Sequence, residues 1–589
     1  MKVFRRLLGF LSPYRSGVIA SLLLAAAAMG ATVLIPFIVG RTVDDIRAGG
    51  GSLWPLALAL VGAGLVRLGF TVVRRLIAGR VSLGVEFDLR NRMYRHLQSL
   101  ELEFFDGQQT GQLMSRSTVD LQSVRFFLGY GLIFMMQSLL TIAIAAGVMI
   151  VVNPPLAAVA LAPVPFAVWA AFSYGRLNRP ASQEVQQRIA ELTAEAEENV
   201  GGVRVVKAFA REQRQVRRFD AAVRRVFDQS MVSTRLRAFY NPFIGFLPQL
   251  GLAGVLLIGG RQVIDEPSRL GEFVALYGYV LMLAGPMRTL GVSLGMAQRA
   301  VASGTRVFEI LDREPRLTAP QGAPDLPPGG GRVRMQGVDF TYDGDGGQPT
   351  LRGIDLDVPA GHTVAVVGAT GSGKTTLVML IPRLYEATAG TVSIDGMDVR
   401  NVDVASLRHE IALVSDDAFL FSASLRENIA YARPEASAEE IEAAARRAGL
   451  AELIEDLPDG YDTLVGERGL TLSGGQRQRV AIARALLISP RVLILDDATS
   501  SVDATTEGRI KDALGEVMEG RTTFVIAHRM STISLADEVI VLEEGRIVAR
   551  GAHEKLVEES ALYREIAQRG PPDPALLARA DEGRELAGL

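Results

Sequence analysis

Six apolar stretches occupy the first 310 residues of this 589-residue chain, near 17–40, 53–73, 128–152, 155–176, 243–263 and 272–292. Each can cross a bilayer that needs about 20 apolar residues, and buried helices of a soluble protein do not match them in length. The reading is an all-α polytopic membrane domain of six transmembrane helices. The apolar fraction of 48% averages this half with an ordinary soluble half. One core does not serve a chain of this length, so two domains are expected. The loop after the first stretch carries balanced charge (Arg41, Asp44, Asp45, Arg47), whereas the N-terminus and the flanks of the middle segments are rich in Arg. The positive-inside rule then puts both termini and the second half in the cytoplasm. Met1 to Arg15 is basic and amphipathic and is followed by a long apolar run, unlike a cleaved signal; it reads as a helix on the inner membrane surface.

Between the second and third stretches, and between the fourth and fifth, the chain is polar with helical periodicity, so those spans are expected to run on into the cytoplasm. Glu314 to Gly331 is rich in proline and glycine and has linker chemistry. The expected organisation is a membrane domain over 1–312, a linker over 313–331, an α/β P-loop domain over 332–570 and a tail over 571–589 that either forms a short pairing helix or frays. Arg332 to Tyr342 and Leu351 to Val358 read as strands, the alternation from Thr363 onward as a mostly parallel sheet, and Ala436 to Ile454 as helical. The net charge of −3 gives no sign of nucleic-acid binding, and the absence of cysteine excludes disulfides, thiol catalysis and thiolate metal sites.

The run Gly368-Ala369-Thr370-Gly371-Ser372-Gly373-Lys374-Thr375-Thr376 has P-loop spacing. Val-rich Thr363 to Val367 reads as a buried strand and Thr375 onward as a helix, so backbone N–H groups at the turn can wrap phosphate oxygens. Gly371 and Gly373 are free to take positive φ. Lys374, one of only five lysines, reaches the β- and γ-phosphates, and the Thr375 hydroxyl is placed for Mg²⁺. About a hundred residues later, Leu472-Ser473-Gly474-Gly475-Gln476 opens a second helix over Gly475 to Leu487 whose N-terminus is another anion site. Two phosphate cradles for one nucleotide imply that one belongs to another molecule. The strand Arg491 to Leu495 ends in Asp496-Asp497.

This set resembles the nucleotide-binding domain of ABC transporters, and the resemblance covers essentially the full chain as an exporter half-transporter. It implies ATP and Mg²⁺ as ligands. Tyr342 resembles the aromatic that stacks on adenine. Asp496 matches the Walker B aspartate that holds Mg²⁺ through water, Asp503 the D-loop aspartate, and His528 the switch histidine that reads the γ-phosphate, although a strand-end histidine satisfied by backbone is its plain alternative. Val465-Gly-Glu467-Arg-Gly469 resembles the exporter segment before the signature. Phe104-Phe-Asp-Gly-Gln-Gln-Thr-Gly111-Gln-Leu-Met-Ser-Arg116 and Glu198-Asn-Val-Gly-Gly-Val-Arg-Val-Val-Lys207-Ala-Phe209 resemble coupling elements, with apolar tips suited to docking on the ATPase domain.

Two positions depart from the family pattern. After the Walker B aspartate the family has glutamate, which activates or orients water; this chain has Asp497. The lost methylene withdraws the carboxylate by about 1.5 Å, a misplacement of the kind that costs about 10²-fold in rate. The family's Mg²⁺-binding glutamine is Asp416 here, which adds negative charge beside the γ-phosphate. Both changes lie in the half-site built from this chain's own Walker motifs, while its signature is intact. The expectation is a heterodimeric exporter in the bacterial cytoplasmic membrane, with this chain contributing a degenerate site and lending its signature to a partner that carries the glutamate. The alternatives are a homodimeric lipid flippase or multidrug exporter with slow Asp-based hydrolysis, and a non-transporting membrane regulator. Phe134, Met135, Met136, Tyr277, Tyr279 and Met282 are candidate contacts for amphipathic drugs, lipids or peptides, with helix packing as their plainer role. Arg67 is expected to snorkel. No peptidase-like extension precedes the first span, so leader-peptide processing is not expected. The bias to Arg and Ala suggests a GC-rich bacterial genome.

Overall fold

A computed structural model describes residues 2–49, 52–266, 269–342, 347–466, 472–497, 515–527 and 530–569. They fall into two compact units, Met1–Gln98 with Thr110–Arg313, and Ser99–Gln109 with Glu314–Leu589. The helices before the linker are α1 (Lys2–Gly9), α2 (Arg15–Arg47), α3 (Trp54–Ser99), α4 (Leu102–Asp106), α5 (Thr110–Ser115), α6 (Leu121–Phe126), α7 (Leu132–Val152), α8 (Pro154–Leu161), α9 (Pro163–Gly201), α10 (Val203–Ala208), α11 (Glu212–Asp265) and α12 (Leu270–Leu311).

In the first unit six helices are long and apolar enough to cross a membrane, and they run from 36 to 54 residues. At 1.5 Å per residue the longest spans about 80 Å, well beyond a hydrocarbon core of about 30 Å, which accounts for the polar helical gaps in the sequence. The third span, Thr110–Val152, is interrupted by π-turns at Arg116–Asp120 and Phe127–Gly131. The helix expected on the membrane surface, α1, packs Leu7 into protein, where it is 1% exposed. Gly304 on α12 leaves the space, since an added Cβ there would sit 3.0 Å from the Leu7 methyls. Arg6 lies over the Phe308 ring and donates two hydrogen bonds of 2.6 Å to Asp312.

Helices α2 and α12 approach so closely that a Cβ on Gly40 would overlap the Gly271 carbonyl oxygen, and one on Gly271 would overlap the Asp44 carboxylate. The Asp44 carboxylate accepts from the Gly271 N–H at 2.7 Å. Further along the same seam the Tyr279 hydroxyl donates to the Val33 carbonyl at 2.9 Å with its ring 1% exposed, so this candidate contact is packing. Met282 also packs against that core cluster, whereas Tyr277 and Met136 are exposed.

The second unit has a four-stranded antiparallel sheet and a six-stranded sheet. Its strands are β1 (Val333–Phe340), β2 (Leu351–Val358), β3 (Thr363–Val367), β4 (Ala389–Ile394), β5 (Met397–Asp398), β6 (Ile411–Val414), β7 (Val492–Asp496), β8 (Thr522–Ile526), β9 (Glu538–Glu543) and β10 (Arg546–Gly551). The orders are β2-β1-β4-β5 and β10-β9-β3-β8-β7-β6, with β9 to β6 all parallel. Between β3 and β7 the α-helices are α13 (Lys374–Met379), α14 (Val404–His409), α15 (Leu425–Ile429), α16 (Ala438–Arg447), α17 (Ala451–Glu455) and α18 (Gly474–Ile488). The helical stretch expected over Ala436 to Ile454 consists of two helices, with Gly449 at φ 68° between them.

Alternation along the strands divides the apolar core between the two faces of the six-stranded sheet. Val364, Val366, Val492 and Ile494 face a cluster containing Leu377 and Val378 of α13 and the inward side chains of β1, β2 and β4. Ala365, Val367, Leu493 and Leu495 face a cluster containing Val480, Ile482 and Leu486 of α18 with residues of α15 and α16. Thus α13 and α18 lie on opposite faces of one sheet.

Gly271→Val should lower the thermal midpoint of the detergent-solubilised protein, at a cost of about 1–3 kcal/mol from overpacking the α2–α12 crossing. Gly260→Ala, where an added Cβ meets nothing within 4 Å, is the control that should leave it unchanged.

Candidate nucleotide site

The turn from β3 into α13 is built as phosphate chemistry requires. Gly371 and Gly373 take φ of 83° and 98°, and a Cβ on Gly368 would overlap the Leu542 carbonyl oxygen of β9. Helix α13 begins at Lys374 and stops after one and a half turns, shorter than the sequence suggested. Pro382 follows, and Arg383 takes φ 52° and is held by Glu386 and by the Arg400 and Thr318 carbonyls. Lys374 is buried, and its ammonium donates to the Gly368 and Ala369 carbonyls at 3.0 and 2.9 Å. Burial pulls that ammonium below its ordinary pKa, opposed by the carboxylates of Asp496 and Asp497. The Ser372 hydroxyl is buried with no hydrogen-bond partner. A bound triphosphate fits this set, because it gives Lys374 and Ser372 anionic acceptors and meets the glycine-lined turn without a steric clash. Ala369, Thr370 and Thr375 lie at the accessible surface of the turn, whereas Thr376 is buried.

Asp496 closes β7, one strand removed from β3, and Asp416 follows the edge strand β6 at the same C-terminal end of the parallel sheet, where α/β folds bind ligands. Asp497 has a left-handed backbone, φ 47°, which aspartate tolerates better than most residues, and its N–H donates to the Ile526 carbonyl at 3.1 Å. Asp416 is exposed. Among the described residues no group of three His, Asp or Glu could hold a metal ion, so a magnesium ion here would draw on phosphate and water oxygens with one or two carboxylates. Asp503, His528, Glu467, Gly469 and the tail over 571–589 lie outside the described residues.

Leu472 is buried and Ser473 is the exposed N-cap of α18, which starts at Gly474, one residue earlier than expected. Its hydroxyl accepts from the Gln476 N–H at 3.3 Å while the Gln476 side chain accepts from the Ser473 N–H at 2.7 Å, a reciprocal capping box. Gly474 and Gly475 complete the first turn. This terminus sits on the sheet face opposite α13.

Tyr342 shares a hydrogen bond of 2.9 Å with the Thr376 hydroxyl and stands edge-on to Tyr385, with centroids 5.4 Å apart. Tyr385 in turn donates to the Asp106 carboxylate of α4 at 2.5 Å. Burial and that hydrogen bond both raise the phenol's pKa. Tyr385 is the residue that motif reading missed: in the sequence it is one more side chain after the P-loop helix, and only its neighbours reveal its place.

A phosphate-binding turn, a strand-end carboxylate pair and a capped Ser-Gly-Gly-Gln helix on a mixed α/β core, in one chain with six membrane-length helices, define a membrane-bound P-loop ATPase. Residues 18–287 match the family profile "ABC transporter transmembrane region" and residues 351–500 the profile "ABC transporter". The chain is 36% identical to an ATP-dependent lipid A-core flippase of Syntrophus aciditrophicus over 96% of its own length and 94% of the relative. It is 39% identical to the multidrug efflux ATP-binding/permease protein Rv0194 of Mycobacterium tuberculosis over 99% of its length, spanning 49% of that longer protein. A solved structure of a bacterial Atm1-family ABC exporter with ATP bound superposes with a TM-score of 0.79 at 30% identity, covering 94% of this chain and 97% of that one. The chain therefore belongs to the ABC transporter family, as an exporter half-transporter with membrane and nucleotide-binding domains fused. It is a multi-pass protein of the bacterial inner membrane with its ATPase domain in the cytoplasm.

Tyr385→Phe and Asp106→Asn should each loosen α4 by about 1 kcal/mol, the worth of a partly exposed charge-assisted hydrogen bond. Amide exchange over Leu102–Asp106 should accelerate about 5-fold in either variant and no further in the double variant.

Proposed function

We propose that this chain is one subunit of a heterodimeric exporter, in which its own Walker motifs bind ATP and hydrolyse it slowly while its signature completes a competent site on a different partner. The observation that carries this reading is Asp497. Its backbone is tied to β8 through the Ile526 carbonyl, so the chain cannot advance to make up for the missing methylene. Asp416, at the end of β6, adds a second acidic substitution to the same half-site.

In this reading the P-loop N–H groups from Gly368 to Thr376 and the Lys374 ammonium hold the phosphates, Tyr342 stacks on adenine, and Thr375, Asp496 and Asp416 orient Mg²⁺. Asp503 and His528 complete the nucleotide contacts. ATP supplies its binding energy to the closed pair. Because α13 and the Ser473–Gln476 terminus are on opposite faces of the sheet, closure requires a second molecule's signature over this P-loop and this signature over the second P-loop. Asp106 and Tyr385 tie α4 to the aromatic group that includes Tyr342, so occupancy at adenine is felt at the end of α3. The tip around α10 has Val200, Val203, Val205 and Phe209 exposed. Since α4 packs within its own ATPase unit, we assign this second apolar tip to the partner's ATPase domain. Closure then drives the combined twelve spans from inward- to outward-facing, and hydrolysis at the competent site resets them.

The homodimeric flippase is the second reading, supported by the relative named a lipid A-core flippase. Purified alone, the chain should bind ATP but turn it over at about 1% of the rate of a glutamate-bearing half-transporter. Asp497→Glu should raise turnover at least 10-fold, Asp497→Asn should change it little, and Ser473→Ala should abolish the activity gained by adding the partner. Full-speed ATPase by the unpartnered wild-type chain would overturn the heterodimer in favour of the flippase.

A further inference from the structure

A buried guanidinium of the ATPase unit belongs neither to the phosphate turn nor to the signature helix. Arg383 is 3% exposed and takes φ 52°, the left-handed position after a helix that glycine fills at least cost. Its N–H donates to the Leu380 carbonyl at 3.2 Å and the N–H of Leu384 to the Met379 carbonyl at 3.1 Å, the paired bonds of a Schellman helix end. They close the P-loop helix α13. A non-glycine residue in that conformation is strained and persists where its surroundings hold it. What holds Arg383 is its side chain. The guanidinium donates to the Glu386 carboxylate at 2.6 and 3.0 Å, to the Arg400 carbonyl at 3.4 Å and to the Thr318 carbonyl at 3.2 Å. The Arg383 carbonyl in turn accepts from Arg408 of α14 at 2.7 Å.

The bond to Thr318 bears on how this unit is joined to the membrane helices. The chain passes between the two units on either side of Ser99–Gln109 and again at Glu314. The stretch with linker chemistry is laid along the ATPase unit. The Pro324 carbonyl accepts from the Asp403 N–H at 2.9 Å, the Leu326 N–H donates to the Ser406 hydroxyl at 2.9 Å, and the Pro327 carbonyl accepts from Arg491 at 2.7 Å. The start of the stretch reaches α4. The Arg316 N–H donates to the buried Glu101 carboxylate at 3.1 Å, and the Arg316 guanidinium lies 3.8 Å from Glu103. At the other end of α4, Asp106 accepts from Tyr385. Helix α4 therefore sits in a seat with two jaws, the linker at Arg316 and the chain beyond the P-loop helix at Tyr385. Arg383 is common to both jaws. Its guanidinium holds Thr318, two residues past Arg316, and its backbone turn sets the course of the chain to Tyr385, two residues further on.

We propose that Arg383 is a positioning residue that fastens the linker and Tyr385 to the end of the P-loop helix, so that nucleotide at the P-loop stiffens the whole α4 seat. This rests on the reading of the β3–α13 turn as a nucleotide site, and it holds for a homodimer and a heterodimer alike. Helix α13 is six residues long and begins at Lys374, so phosphates held at the turn fix a short rod whose far end is Arg383. A planar fork with separate donors to Glu386, Arg400 and Thr318 resists rotation. An ammonium in its place has the charge without the fork.

The test is hydrogen exchange on the full-length protein in maltoside micelles, with and without saturating Mg²⁺ and the non-hydrolysable analogue AMP-PNP. Equilibrium binding of a fluorescent ATP analogue is measured on the same samples. In the wild type the nucleotide should slow exchange about 10-fold over Leu102–Asp106 and over 316–327. Arg383→Gly removes the fork yet suits the left-handed backbone. It should bind nucleotide within about 2-fold of the wild type while the slowing falls to under about 2-fold in both segments. Arg383→Lys should keep a slowing of about 3-fold. Lys555→Gln, at an exposed ion pair elsewhere in the unit, should keep all of it. Glu386→Gln leaves Arg383 in place without its carboxylate partner; it should lower the slowing to about 3-fold and serves if Arg383→Gly does not fold. A merely structural residue would speed exchange in both states and leave the nucleotide-dependent ratio unchanged. That unchanged ratio, a loss confined to one segment, or a loss of nucleotide affinity as large as the loss of response would overturn the proposal. A wild type that binds no nucleotide would refute the reading of the P-loop turn and the proposal together, whereas binding with no response in either segment overturns the proposal alone.

Discussion

The six-stranded sheet separates the two helix termini proposed to bind phosphate, and most of the proposed behaviour follows from that separation. The Lys374 end of α13 and the Ser473 end of α18 each offer unpaired N–H groups and a positive dipole end, yet they are anchored in apolar clusters on opposite faces of the same strands. Neither can swing to the other without dismantling the packing of β3 and β7. A single chain thus holds two half-sites and no whole one. In the proposed reading, pairing is a consequence of where the side chains of alternate strand residues point, with ATP as the material between two such surfaces.

That constraint gives the acidic substitutions their meaning. In a site assembled from two chains, the P-loop half and the signature half can diverge independently. Asp497 and Asp416 both sit with the P-loop half, while the signature keeps its glycines and its capping box. A subunit altered in only one of its halves retains a use for the other, and a relative about twice the length of this chain has room for two such units in one polypeptide.

The link to the membrane is made with equally local means. The segment Ser99–Gln109 lies between two membrane-spanning helices in sequence but groups with the ATPase unit in space. Its Asp106 meets Tyr385, which belongs to the same aromatic group as Tyr342 and Phe340. Rigid rings and one short hydrogen bond are suited to passing on a displacement of about an ångström, which floppy surface ion pairs are not. Within the apolar stretch of α3, Arg74 is the charged side chain drawn into protein.

Local rules were enough to read the six spans, the P-loop, the capped signature helix and the shortened acidic residue from the sequence. Apolar run length, glycine spacing at a strand-to-helix turn and a Ser-x-x-Gln cap each act within a few residues of chain. The same rules did not reach what depends on distant neighbours. Helix α1 is amphipathic in the sequence, but its contacts with Gly304 and Phe127, some 300 and 120 residues away, are not legible there. Tyr279, a candidate contact whose plainer role was packing, is bonded to the Val33 carbonyl and takes that plainer role. Tyr385 and Arg74 carried no local mark, since a tyrosine after a helix and an arginine beside another arginine are ordinary in sequence. Motif chemistry was thus determined by the chain itself, because backbone turns and caps are made from adjacent residues. Which groups are buried, paired or left without a counter-charge was decided only by tertiary structure, because desolvation depends on every element packed around a side chain.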